Sequence, residues 1–449
     1  MAVIDPGEQR TVVMAAPLPP APPARPESAA PTGERIEALD FVRGVALFGI
    51  LLMNITAFGL ADAYTNPQNS GGATGANLLV WIVTQIGFEG TQRALFSMLF
   101  GASVILFTAR LEAAGRADAA DLYVRRNLWL VAFGMINGFL LIWYGDILYT
   151  YGIIALFVFP FRNMSARALM TVGIAVLLLG AAWNLWDARE ALHQNAAYET
   201  AVAARDAGAE NYDTAAIAAW ESTRAEYVST PASIARTTEA MRGGYVSAFW
   251  YVLPYNVYWE TWGLYRFFFD VIGMMLIGMA LFRMGVLTLH RRTGVYVGMM
   301  LGGYAVGLAV NFLETSWIIS HQFSAVSFAE ANVTYDLGRL AMTVGHLGAL
   351  LLFVRSGLLG WLRHAFASVG RMAVTNYLTH SIVCLTLFVL MGWYGQLERH
   401  QLYYVVGAIW AFQLVFSPLW LRVFRFGPVE WLWRWLTYLK RPPLLRSRT

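Results

Sequence analysis

Apolar runs of roughly 17–25 residues, closed off by arginines, glycines or short polar turns, recur along most of the chain, and each is long enough to cross ~30 Å of hydrocarbon as a helix. The pattern predicts ten crossings: Phe41–Ala61, Arg93–Phe107, Leu128–Tyr144, Ile147–Phe161, Ala168–Trp186, Leu264–Phe282, Val295–Leu313, Leu337–Phe353, Met372–Trp393 and Tyr403–Leu421. Between the first two, Asn77–Phe88 reads as an interfacial or re-entrant piece, because Glu89-Gly90-Thr91-Gln92-Arg93 interrupts the apolar run. The third and fourth crossings make a tight hairpin around Gly145-Asp146. Asp187–Arg242, rich in Ala, Glu and Arg, predicts helices outside the bilayer, and Pro428–Leu439 an amphipathic helix in the interface. No internal repeat stands out by eye.

The expected fold is therefore all-α, a polytopic membrane helix bundle of about ten transmembrane helices forming one domain over residues 35–442. Residues 1–34 are rich in Pro and Ala and lack the basic start and apolar core of a secretory signal, so they read as a disordered cytoplasmic tail; residues 443–449 form a second short tail. Arginines set the orientation. Arg110, Arg116, Arg125, Arg126, Arg162, Arg167, Arg283, Arg291, Arg292, Arg355 and Arg363 fall in one set of short connections, and the C-terminal tail adds more. The opposite short loops contain only Arg399. Both termini are then cytoplasmic and Asp187–Arg242 lies outside, in a bacterial cytoplasmic (inner) membrane.

Composition agrees and removes alternatives. Hydrophobic residues make up 57% of the chain and charged residues 13%, so the net charge of +4 reflects loop arginines rather than nucleic-acid binding. One cysteine, Cys384, excludes an intramolecular disulfide framework and a multi-cysteine metal site. There is no Walker motif, dinucleotide fingerprint, HExxH or CxxC.

Chemistry must then come from polar residues inside the spans, which are costly there and often functional. In the first span Asp40, Arg43 and Asn54 form one stripe, Asn54 about three turns beyond Arg43. The bland alternative is a salt bridge and interfacial anchoring for Asp40 and Arg43. Glu89 and Arg93 are spaced for a helical ion pair, as are Arg266 and Asp270, while Asp336, Arg339, Thr343 and His346 fall on one face of the eighth span. Each set reads equally as a buried pair fixing helix register. Ser97 and Gly101 make a small-residue packing face. The ninth span opens with Arg371 and puts Asn376, Tyr377 and His380 on one face, where an imidazole can serve as general base or simply hydrogen-bond across helices. Glu430 and Arg434 are again four apart.

Four stretches, LDFVRGVALFGILLMNI, EGTQRALFSMLFGAS, GRMAVTNYLTHS and GPVEWLWRWLTY, together resemble the YeiB family of bacterial inner-membrane proteins over about Arg35 to Tyr438. His380 stands where many relatives are expected to carry Gln. The first span is also similar to that of the lysosomal heparan-sulfate glucosaminide acetyltransferase family, roughly D-x-x-RG…VN, with Asp40, Arg43, Gly44 and Asn54 at the matching positions. That resemblance implies transfer of an acyl group from cytoplasmic acyl-CoA to an acceptor on the other side. Those enzymes pair the Asn with a His in the following loop; here Thr56–Asn77 has none.

The leading expectation is thus a membrane-embedded acyltransferase with acyl-CoA as co-substrate and no metal. Its catalytic candidates are Asn54, His380 and His346. Its substrate-binding candidates are Asp40, Arg43, Glu89, Arg93, Asp270, Arg339, Arg371, Asn376 and Tyr377. A non-enzymatic transporter or flippase is the alternative, and a structural or sensory subunit a third. Expected partners are membrane lipids and a small-molecule, glycan or lipid acceptor, with a homodimer left open and nucleic acid excluded.

Overall fold

A computed structural model describes residues 36–446, without the side chain of Arg266; the expected N-terminal tail lies outside the described residues, as does the end of the C-terminal one. The described chain is helical, with one isolated antiparallel bridge, Phe424 to Leu445. The elements are α1 Glu37–Gly59, α2 Gly75–Gly87, α3 Thr91–Ala113, α4 Ala119–Met135, α5 Leu148–Val158, α6 Ala166–Asp206, α7 Thr214–Ala225, α8 Pro231–Arg242, α9 Tyr245–Glu260 and α10 Leu264–Arg283. They continue as α11 Thr293–Ser320, α12 Ala325–Ala331, α13 Tyr335–Ser356, α14 Gly360–Arg371, α15 Ala373–Cys384, α16 Arg399–Val423 and α17 Pro428–Tyr438. Ser165, Asp213, Thr230 and Ser324 cap α6, α7, α8 and α12, each accepting from the N–H three residues on.

Among the described residues seven helical stretches are long and apolar enough to cross a membrane, rather than ten. The other three expected crossings correspond to α4, α5 and α10. The sequence pattern ran through two interruptions here: α4 passes into a π-helix, Ile136–Leu140, and α5 has only 11 residues before a 3-10 turn, Phe159–Asn163. The chain is an all-α membrane bundle.

α1 is the central post, packed by α3, α13, α14, α15 and α16. It meets α14 so closely that a side chain on Gly44 would overlap the Phe366 carbonyl, and one on Gly370 the Asp40 carbonyl. α2 and α3 form one apolar stretch broken at Gly90, whose φ of 67° allows the bend. α6 has 41 residues, about 60 Å at 1.5 Å per residue. The polar stretch beginning at Asp187 therefore starts as its direct continuation rather than as a loop.

The structure also exposes a repeat that the sequence reading missed. Residues 140–146, LLIWYGD, and 390–396, LMGWYGQ, share Leu, Trp, Tyr and Gly at matching positions. Each follows a π-helix, Ile136–Leu140 or Leu385–Leu390. Trp143 N–H donates to Asn137 C=O and Trp393 N–H to Leu387 C=O, both at 3.2 Å, and Ile142 and Gly392 share a positive φ. Both turns flank the end of α1: Trp143 stacks on Phe58 and Gly395 N–H donates to Gly59 C=O.

Candidate functional site

Two cavities open at opposite ends of α1. The N-terminal half of α1, with Asp40 and Arg43, lines a lower cavity of about 260 Å³. The C-terminal half, with Met53 and Asn54, lines an upper one of about 760 Å³. α3 runs antiparallel, so Arg93 faces the upper cavity and Phe100, Ser103 and Arg110 the lower. Tyr151 of α5 lines both. It is 1% exposed; its hydroxyl donates to Arg93 C=O at 3.1 Å and bonds Ser97 Oγ.

The two ends have opposite charge. The lower cavity is lined by five arginines, Arg43, Arg110, Arg126, Arg371 and Arg434, against Asp40 and Glu430. Arg43 donates from Nη1 to Asp40 Oδ1 at 2.9 Å and from Nη2 to Ser103 Oγ at 3.1 Å. Glu430 is already engaged, accepting from Val374 and Thr375 N–H and the Thr375 hydroxyl at the start of α15. That arrangement ties the start of α17 to the start of α15. Arg126 lies over the Phe107 and Trp433 rings.

The upper cavity is lined by eight carboxylates against Arg93 and Arg339. Both arginines are committed: Asp270 Oδ2 accepts from Arg93 at 3.1 Å and its Oδ1 from Arg339 at 2.5 Å, while Arg339 also donates to Asp336 Oδ1 at 2.8 Å. This clamp joins α3, α10 and α13, with Arg93 turned to Asp270 rather than closely paired with Glu89; the expected Arg266–Asp270 pair involves a side chain outside the described ones. The Asp336–Arg339 pair forms as spaced. Glu89 accepts from Tyr335 Oη at 3.3 Å. It shares the cavity with Asn54 and with the aromatic rings of Tyr64, Trp143, Tyr144 and Trp259.

His380 and His346 lie elsewhere and line neither cavity. His380 is 2% exposed and meets Gln413 Oε1 at 3.0 Å; Gln413 in turn donates to Asn376 C=O. Asn376 donates to Val369 C=O and Ser417 Oγ, and so binds α15 to α14 and α16. The Tyr377 ring meets the His380 imidazole edge-on, with centroids 6.4 Å apart, while its hydroxyl reaches away to accept from Ile147 N–H. His346 is held between Tyr304 Oη and Gly87 C=O. The expected pairing of Asn54 with His380 is not made.

Sequence reasoning missed Tyr151, Tyr335, Asp146 and Glu260, which reach the cavities from helix ends and turns, and it read Arg110 and Arg126 as anchors only. Outside the apolar spans, burial raises the Asp146 carboxyl to about 6. Burial, with the Asp146 charge, raises Glu260 to about 8.

Comparison with known proteins gives the chain a family. Residues 281–440 match the family described as "Protein of unknown function (DUF418)". The "uncharacterized protein YeiB" of Escherichia coli (strain K12) is 31% identical over 423 residues, 92% of this chain and 98% of that protein. The chain belongs to the YeiB family. A second relative, the "uncharacterized protein YxaH" of Bacillus subtilis (strain 168), is 28% identical over 93% of this chain and 97% of its own. No solved structure matches significantly. With both relatives spanned almost end to end, the residues of both cavities lie within the shared YeiB-like length.

Proposed function

We propose that this YeiB-family protein is an acyltransferase that moves an acyl group from a coenzyme A thioester in the lower cavity to a hydroxyl or amine in the upper one. The observation that carries the reading is the pair of oppositely charged cavities meeting at Tyr151. Guanidinium groups suit phosphates, and five of them line the lower cavity. Carboxylates and aromatic rings around the upper cavity suit a polyhydroxylated, non-anionic acceptor, a glycan or a lipid-linked sugar, and repel phosphate. One anionic ligand passing through both cavities would meet that acidic chamber last, which favours group transfer over the carrier reading.

In this scheme the acceptor O–H or N–H attacks the thioester carbonyl carbon and the C–S bond breaks. The Asn54 amide donates to the developing oxyanion. Glu89, whose mapped hydrogen bond comes from a tyrosine hydroxyl rather than from either arginine, takes the proton, which finally resides on the departing thiol. The base role passes to Glu89 because His380 and His346 line neither cavity. Counting α4, α5 and α10 with the seven long apolar stretches, ten crossings with both termini cytoplasmic, in the inner membrane, would put the arginines on the side where acyl-CoA is available. The protein acts with lipids around it and a glycan or lipid acceptor; a homodimer is compatible with this.

The test uses purified protein in detergent with acetyl-CoA and extracted envelope glycolipids, reading released thiol. Wild type should release thiol only when acceptor is added, and Asn54→Ala should lower the rate about 100-fold or more while leaving coenzyme A binding intact. Absence of coenzyme A binding by the wild-type protein would end the acyltransferase reading.

A further inference from the structure

The two π-turns differ in one respect that the fold does not require. In the second copy, Leu387 and Phe388 occupy the π-helix, with Phe388 fully buried beside Gly59 and Leu402. In the first, the matching positions are Asn137 and Gly138, and Asp146 stands where the second has Gln396. Since apolar residues build the same turn, the polar set serves something else; π-helical segments often mark functional sites.

Around Gly138 the acceptors outnumber the donors. Asn256 donates its Nδ2 to Gly138 C=O at 2.6 Å, which fixes the amide orientation and leaves Oδ1 buried with no partner. Asn137 likewise donates Nδ2 to Asp146 Oδ1 at 2.7 Å and leaves its own Oδ1 buried and unpartnered. Glu260 Oε1 is a third such oxygen. Asn137 and Asn256 are 0% and 2% exposed. A Cβ built on Gly138 would lie 2.5 Å from Glu260 Oε1 and 3.6 Å from Asn256 Oδ1, so both oxygens converge on the bare glycine. Buried acceptors without donors cost free energy unless something positive sits among them.

We propose that Glu260, Asn256 and Asn137 form a binding site for a small monovalent cation, sodium in size, beneath the first π-turn. Hard cations take carboxylate and amide oxygens. The Asp146 oxygens are taken by Asn137 and Tyr149 N–H, so Glu260 supplies the one carboxylate here free to ligate, which favours a monovalent over a divalent ion. A proton on Glu260, donated to Asn256 Oδ1, is the competing occupant. The charged or titratable groups facing Glu260 are Asp146 and Tyr149; the second π-helix brings none, and α8 brings Arg236, Glu239 and Arg242 to α9. The site stands independently of the acyl-transfer reading.

The test is thermal unfolding of the full chain in detergent at pH 8.5, titrating NaCl against choline chloride at constant ionic strength. Sodium should raise the wild-type Tm saturably by about 2–4 °C. Glu260→Gln, whose amide can donate to Asn256 Oδ1, should fold normally and lose the response. Gly138→Ala, which keeps every ligand but crowds Glu260 Oε1, should lose it as well. An equal rise in choline, or a sodium response that survives Glu260→Gln, overturns the site. A Tm that depends on pH but never on sodium assigns the position to the proton and overturns the sodium site.

Discussion

Tyr151 Oη lies 2.7 Å from Ser97 Oγ, which pins the one ring shared by the two cavities against α3. Tyr151→Phe removes this bond and the one to Arg93 C=O, and should cost about 1 kcal/mol each. The ring would then be held only by packing, including that against Phe96 and Phe100. We expect thioester hydrolysis in the absence of acceptor to rise in Tyr151→Phe, read as thiol release, with coenzyme A affinity unchanged. Unchanged hydrolysis would show that the tyrosine does not separate the chambers.

Arg43 should act on phosphate through its planar fork rather than by charge alone. Arg43→Gln is expected to weaken coenzyme A binding by tenfold or more in calorimetry, and Arg43→Lys to recover only part of it. Full recovery in the lysine variant would reduce Arg43 to an anchor.

The Asp270 clamp carries stability. Asp270→Asn leaves Arg339, 4% exposed at its side chain, and Arg93 short of countercharge, and should destabilise by about 3–5 kcal/mol. Thermal melting in detergent reads this loss. A near-native Tm would mean that Asp336 alone balances the pair.

Stability in sodium-free buffer should fall as pH rises. The folded-state carboxyls of Glu260, at about 8, and Asp146, at about 6, lie above their unfolded values near 4, so the folded protein binds more protons across that interval. The Tm should decline from about pH 4.5 to pH 8 and level off above. Glu260→Gln should remove the part of the decline between pH 6 and 8 that Asp146 does not supply.

Glu430 should behave as a fastener. Glu430→Gln keeps the shape but weakens acceptance from Val374, Thr375 and the Thr375 hydroxyl, a loss of about 1–2 kcal/mol. Faster proteolysis within Pro428–Tyr438, with the membrane core intact on a gel, is the expected sign.

Much of this could be read from spacing alone, and the reasons for the exceptions are physical. Asp40, Arg43 and Asn54 share a helix face, and periodicity is enough to see it; Asp40 and Arg43 line the lower cavity and Asn54 the upper. Asp270 was visible as a costly charge, but the partners it finds among the described side chains, Arg93 and Arg339, come from α3 and α13, and local spacing has no access to contacts between helices. His380 drew attention for its chemistry, yet Gln413, far along the chain, occupies it. The duplicated turn escaped notice because its shared residues are few and its signature is a π-helical hydrogen-bond pattern, not a hydrophobic period.

α6 has a mechanical consequence. A helix of about 60 Å is twice as long as the hydrocarbon is thick, so its outer half stands clear of lipid as a rigid mast. That half carries Glu190 and Gln194, and Gln194 holds Thr223 of α7 at 2.6 Å, so the roof of the upper chamber is bolted to the mast. A tilt of about 5° about a pivot in the membrane would carry its tip about 3–4 Å sideways. Any tilt of the mast would displace its outermost turns most, and Asn184 and Asp187, nearer the membrane, least.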